Sequence, residues 1–131
     1  MTINVNKTAE NIYEGISNMM AGAKEDYKSF HTSMGRKEIV PGSYGDTELK
    51  EYDNKTKVNM GKKFIKVVQD RSVFAFIVKE DTDKFKKGDI LKPAGYNAPA
   101  QNGARGNVLT GNYYIQWTGP LYMDSQRRLR G

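Results

Sequence analysis

The chain has 131 residues, with 21 basic against 15 acidic and a formal net charge of +6. Apolar residues make up 37% and charged residues 27%, polar for a globular chain but not poor enough in apolar residues for wholesale disorder. Cysteine is absent, which excludes disulfides, thiol catalysis and cysteine-bound zinc or iron–sulfur chemistry; no apolar run reaches the length of a membrane span, and Met1 to Glu10 lacks an apolar signal core, so a cytoplasmic setting is expected.

The first predicted element is a helix. Ile12, Ile16, Met19, Ala23, Tyr27 and Phe30 recur at spacings of three and four, which places them on one stripe. The pattern predicts an α-helix from about Ala9 to His31. Thr8 is the expected cap, Glu10 and Glu14 suit the positive end of the dipole, Lys28 and His31 the negative end, and Gly35 the stop. Gly15 and Gly22 each weaken the helix by about 1 kcal/mol relative to alanine, so its stability has to come from packing. A core or lid helix is the plain reading. The functional one is a partner-binding helix presenting Ile12, Ile16, Met19, Met20, Tyr27 and Phe30, with the methionines as adaptable contacts.

From Gly35 to Gly61 the turn signals Pro41-Gly42, Gly45-Asp46 and Asp53-Asn54 predict an irregular connector, with a short strand near Leu49 to Tyr52. Its length makes the helix a separable appendage. Lys62–Gln69 and Ser72–Lys79 then read as a hairpin about Asp70-Arg71. The second of these strands is apolar on both faces and predicts a central or doubly covered position. A charged loop, Glu80 to Lys87, leads to a short strand at Ile90–Lys92, and a last pair is expected at Gly106–Thr110 and Tyr113–Gly119 about Gly111-Asn112. The fold class is α+β: an N-terminal amphipathic helix followed by a small antiparallel β-barrel or rolled sheet of about five strands. Three segments result: 1–61, helix and connector; 62–122, a small β domain; and 123–131, a basic tail, mobile in isolation.

Charge is spread unevenly. Met1–Asn54 carries six basic and nine acidic residues, Lys55–Lys92 eleven and five, and Pro93–Gly131 four and one. This asymmetry suggests an anionic partner for the later part, against the plainer reading of a solvated basic surface. Lys62, Lys63, Lys66, Lys84, Lys86 and Lys87 form the candidate basic face. The loop from Pro93 to Asn107 holds no Leu, Ile, Val or Phe, and a loop of that length is usually functional or disordered. Its candidate anion- or ligand-binding residues are Lys92, Tyr96, Asn97, Arg105 and Asn107. Gly103-Ala104-Arg105-Gly106 is expected to form a concave run of backbone N–H groups, with Arg105 as a bidentate fork. The plainer reading is a covering loop with Arg105 paired to a carboxylate such as Asp89.

Other chemistries find no footing. His31 alone cannot make a zinc site. Asp81 and Asp83 start like a calcium loop, but Lys86 stands where glycine is needed and Lys92 where glutamate is needed. Neither a Walker loop nor a Rossmann fingerprint is present. No catalytic group is assigned, and no cofactor or metal is expected.

The stretch KFKKGDILKPA…APA…ARGN…WTGP, from Lys84 to Pro120, resembles small uncharacterised proteins of tailed bacteriophages. Gly88, Asp89, Pro93, Ala94, Pro99, Ala100, Ala104, Arg105, Gly106, Asn107, Trp117, Thr118 and Gly119 carry the resemblance, within the C-terminal half. It implies a viral origin, a part in the particle or in subverting the host, and a location in the host cytoplasm or the virion. The first functional expectation is therefore a non-enzymatic phage accessory or structural protein acting through protein–protein contact: a virion component, assembly factor or host-defence inhibitor. Its partner would be another protein or a further copy of itself, with no membrane. The alternative is a nucleic-acid-binding module that uses the basic face and the Pro93–Asn107 loop, with Tyr96, Tyr113 and Trp117 as stacking candidates. A second alternative is a small enzyme or nucleotide-ligand binder centred on Arg105.

Overall fold

The computed structural model describes residues 3–32, 38–101, 103–120, 122–123 and 129–130. Strand β1 (Ile3–Val5) is followed by helix α1 (Ile12–His31). The helix starts later than its periodicity suggests. Ala9 N–H is bonded to Leu109 O at 2.9 Å, which ties the chain before the helix to the turn after Asn107. Asn11, not Thr8, is the cap: its side chain accepts the Glu14 N–H at 2.9 Å. The C-terminal end falls at His31 as expected, while the predicted stop, Gly35, lies outside the described residues.

The connector is more ordered than expected. Helix α2 (Tyr44–Glu51) occupies most of the place where a strand was predicted near Leu49–Tyr52. Ser43 caps it, accepting from Asp46 N–H at 3.3 Å. Strand β2 (Thr56–Met60) follows and pairs antiparallel with β3 (Phe64–Gln69). The predicted hairpin is present: β3 pairs with β4 (Ser72–Val78), and Asp70 takes a positive φ of 59° in the turn. Strand β4 lies between β3 and β5 (Ile90–Leu91), and Phe74, Ala75, Phe76, Ile77 and Val78 are all buried, as a doubly covered strand requires.

The register of β3 against β4 slips beside Phe74. Val67 faces Ala75 but Val68 faces Val73, so Phe74 has no partner of its own. This bulge turns Phe74 and Ala75 to the same core, whereas strict alternation would send them to opposite faces.

The Pro93–Asn107 stretch contains its own small hairpin, β6 (Pro93–Gly95) with β7 (Ala98–Pro99). The strand expected at Gly106–Thr110 is a turn, because Asn107 brackets it. The Asn107 amide donates to Lys87 O at 2.9 Å and Asp89 Oδ1 at 3.0 Å, and its Oδ1 accepts from Leu109 N–H at 2.8 Å. Strand β8 (Tyr113–Gln116) pairs with β1 on one side and β9 (Gly119–Pro120) on the other. Three residues of the expected basic tail, Met123, Leu129 and Arg130, belong to a short pairing of β10 (Tyr122–Met123) with β11 (Leu129–Arg130); most of the tail lies outside the described residues.

Among the described residues there is no closed barrel. The strands form an open four-stranded sheet, β2-β3-β4-β5, an open three-stranded sheet, β1-β8-β9, and two short pairs. What joins the sheets is α1. It packs on β1 and β8, and its stripe meets the inward face of the four-stranded sheet in one core. That core includes Val5, Ile12, Ile16, Met19, Ala23, Ile65, Val67, Ile77, Ile90 and Ile115. The segment 1–61 is thus part of the same packed unit as 62–122, not an appendage. A second cluster on the other face gathers Phe76, Val78, Phe85 and Leu91, with Phe64 and Val73 against it. No helix of the described residues is long and apolar enough to cross a membrane.

Candidate functional site

The residues expected to bind a partner or an anion do not all converge. Ile12, Ile16, Met19 and Met20 are buried in the chain's own core, so this part of the stripe is not presented to a partner. Tyr27 is half-buried and Phe30 exposed at the C-terminal end of α1. The predicted concave run of N–H groups is not formed around Arg105. Its backbone N–H donates to Ile90 O at 2.7 Å, and Gly106 O accepts the Ile90 N–H at 2.8 Å, so this stretch serves as a neighbour of β5. Asn107 is a structural bracket. Lys92 is exposed, and its carbonyl accepts the Ala100 N–H at 2.7 Å.

The structure does bring Lys66, Tyr96 and Asn97 together. The Lys66 ammonium sits 4.2 Å from the centre of the Tyr96 ring and donates to Asn97 Oδ1 at 2.8 Å. Lys84 instead reaches Gln101 O and lies 5.4 Å from the Phe85 ring centre. Lys62, Lys63, Lys86 and Lys87 are exposed. The backbone N–H groups of Lys86 and Lys87 are bonded to Asp89 and Asp81 at 2.9 and 2.8 Å. Tyr113, a stacking candidate in the sequence, is buried and cannot meet a base.

The densest cluster of aromatic and charged side chains lies elsewhere, where the end of α1 meets α2 and the turn after β8. Tyr27 contacts Trp117 at 5.2 Å and Tyr52 at 5.8 Å between ring centres, with the planes tilted by 46° and 41°. Phe30 reaches Trp117 at 5.2 Å and His31 at 5.4 Å, and His31 reaches Tyr44 at 6.0 Å. Phe30 is 59% exposed, Tyr44 72% and Trp117 37%. These rings form one connected patch. Asp26 positions it: this buried carboxylate accepts the Trp117 backbone N–H at 2.8 Å, tying α1 to the turn after β8.

A cavity of about 280 Å³ opens inside this patch, walled by Tyr27, Tyr52, Phe74 and Trp117. Phe74 arrives there through the bulge in β4. Glu48 and Lys55 line the cavity and form an ion pair at 3.0 Å. The Lys55 hydrogen bond holds the Glu48 carboxyl below the ordinary carboxylate range, and Glu48 in turn raises Lys55. Gln69, Asp70, Ser72 and Thr118 add to the polar lining. Gln69 is fixed: its amide donates to Tyr52 O at 3.3 Å, and its carbonyl accepts from the Thr56 hydroxyl. Burial, then the charge of Glu48, pushes the Tyr27 hydroxyl up. Burial pushes Tyr52 much further up, and its buried hydroxyl has no hydrogen-bond partner among the described residues. No histidine or cysteine is among the described lining residues.

The sequence reading placed Tyr27 on a helix stripe and Trp117 among base-stacking candidates, and it missed Tyr52, Glu48 and Asp26. One signal was available. Asp26 stands three positions after Ala23, on the buried side of α1, and a carboxylate there calls for a hydrogen-bond donor from elsewhere in the fold.

One family matches residues 2–123, and it is described as a family of unknown function, DUF7717. No curated protein and no solved structure matches the chain. With the match spanning nearly the whole sequence, the chain belongs to DUF7717.

Proposed function

We propose that this chain is a non-enzymatic interaction protein whose recognition surface is the aromatic patch of Phe30, Tyr44 and Trp117. The observation that carries the reading is the exposure of these three side chains within one connected ring network, 59%, 72% and 37% respectively. Scattered exposed apolar residues are ordinary, but contiguous aromatic ones are the usual anchors of protein interfaces. The resemblance of Lys84–Pro120 to small tailed-phage proteins makes the proposed role a phage accessory one, in the virion, in assembly or against a host defence. The test compares the wild-type chain with a Phe30→Ala/Tyr44→Ala variant in quantitative affinity enrichment and in solution mass. Both side chains are largely exposed, so the melting temperature should hold. A partner or self-association retained by the wild type and lost by the variant supports the reading; equal retention by both sinks it.

A second reading is favoured by the Lys66–Tyr96 stack. Tyr96 is 56% exposed beneath a lysine, an arrangement that suits a phosphate backbone beside an unpaired base. Binding to labelled single-stranded DNA and RNA at two salt concentrations tests it. Tyr96→Ala should weaken binding by about 1–3 kcal/mol, and the affinity should fall steeply with salt. Absence of binding at low salt retires it.

A further inference from the structure

We propose that the cavity walled by Tyr27, Tyr52 and Trp117 is an aromatic cage for a small organic cation with a trimethylammonium head. The inference rests on the interaction reading above and names what that face takes in.

The walls come first. Tyr27 lies at 41° to Tyr52 and at 46° to Trp117, so its ring makes a corner with each of these neighbours. A flat heterocycle would want two parallel faces. A rounded cation needs only several π faces turned towards one point, and each attracts it through the ring quadrupole.

Charge comes second. Glu48 and Asp70 line the cavity against one ammonium, that of Lys55, which is already held by Glu48 at 3.0 Å. The described lining therefore carries an excess of negative charge on a chain whose total is +6. The Tyr27 hydroxyl senses the same field: Glu48 and Asp70 both act to raise it, and Lys55 only partly offsets them. An anion would meet carboxylates and π faces, and is disfavoured twice.

Hydrogen-bond capacity bears on the kind of cation as well. Glu48 Oε2 is taken by Lys55 and Gln69 Oε1 by Thr56, so Asp70, Ser72 and Thr118 are the lining acceptors a primary ammonium would have to reach, while the aromatic walls ask for no N–H donor. A primary ammonium brings N–H donors that each need an acceptor once buried. A quaternary head brings none. The volume of about 280 Å³ sits just under the range typical of drug-sized ligands, which suits a compact head.

Such a head occurs on free choline and on a trimethylated lysine side chain. Trp117 is the sole tryptophan of the chain and reports on the cavity directly. The full chain is titrated with choline and with its neutral isostere, in which carbon replaces the quaternary nitrogen, while Trp117 fluorescence is followed. Choline should saturate the signal, and the isostere should bind about tenfold more weakly. A parallel arm uses a peptide carrying trimethyllysine against the unmodified peptide. Tighter binding of the modified peptide than of choline assigns the head to a protein side chain; equal binding assigns recognition to the head alone. Glu48→Gln should weaken choline while leaving the isostere unchanged. Equal affinity for choline and isostere overturns the cage, as does silence of Trp117 towards both choline and the methylated peptide. Failure here, with Phe30→Ala/Tyr44→Ala still releasing a partner, removes the cage and leaves the interaction reading standing. Choline binding with no partner released removes that reading alone.

Discussion

Gly15 and Gly22 each carry a helix-propensity penalty of about 1 kcal/mol, and each sits where α1 is approached closely. A Cβ on Gly15 would lie 2.5 Å from Val108 O, a backbone atom that cannot step aside. On Gly22 it would lie 2.9 Å from Val5 Cγ2 and 3.0 Å from Ile115 Cδ1, side-chain methyls at longer range than the Val108 carbonyl is from Gly15. The two glycines therefore answer differently to the same change. Gly15→Ala should destabilise the protein by about 1–2 kcal/mol net, because overpacking against backbone outweighs the gain in propensity. Gly22→Ala should cost less, and a urea midpoint for each variant measures the difference; a more stable Gly15→Ala protein would contradict the close packing of α1 on Val108. Asp26 is the other residue on which the site turns. Asp26→Ala leaves the Trp117 N–H without its carboxylate and should lower stability by about 2 kcal/mol. The Trp117 fluorescence should shift to the red in the folded variant as the ring loosens, and an unshifted spectrum would separate Trp117 from Asp26.

Helix α2 has eight residues and buries none of them fully, so its hold on the fold comes from its ends and its charges. Asp46 accepts the Gly42 N–H at 2.8 Å and pairs with Lys50 at 3.1 Å; Glu48 pairs with Lys55 at 3.0 Å. The Gly42 hydrogen bond, then that of Lys50, lowers the Asp46 carboxyl, and Lys55 lowers Glu48. For Glu48 the unfolded chain takes the ordinary value of 4.5 and the folded chain a lower one. Its contribution is therefore fully present above that value and is lost as the pH falls through the folded pKa. Glu48→Gln should flatten the acid limb of melting temperature against pH, while leaving the slope near neutrality alone. An unchanged acid limb would place the pair's weight elsewhere. The same weakness explains why α2 was not legible. Its cap was visible in Ser43 followed three positions later by Asp46, but the helix has no apolar stripe for a period of 3.6 to find. By contrast, α1 and the β3–β4 hairpin were read to within three residues at their starts and one at their ends, because both bury a long periodic face. The strand expected at Gly106–Thr110 failed for a third reason: the Asn107 side chain binds its own neighbours' backbone, which alternation alone does not reveal.

At the scale of the molecule, the site was illegible because it belongs to no single segment. Tyr27 comes from α1, Tyr52 and Glu48 from α2 and its end, Phe74 from a bulge and Trp117 from the turn after β8. Only tertiary packing brings them together, and that packing also decides whether the chain has one folding unit or two. The sequence divides at residue 61, yet Ile65, Val67, Ile77 and Ile90 are buried in the same core as Ile16, Met19 and Ala23. Removing 1–61 would uncover those four side chains and strip β1 from β8. Burying one such aliphatic side chain contributes about 1.5–3 kcal/mol. Four of them approach or exceed the total stability of about 5–15 kcal/mol expected of a small domain. The fragment 62–122 should therefore fail to fold alone, giving collapsed amide proton dispersion and no cooperative melt. The whole chain should unfold in one transition, with Trp117 fluorescence and far-ultraviolet circular dichroism coincident. A cooperative melt of the isolated fragment would restore a separable β domain. In that case α1 would dock on a preformed β unit, and Asp26 and Tyr27 would complete the aromatic patch only after that docking.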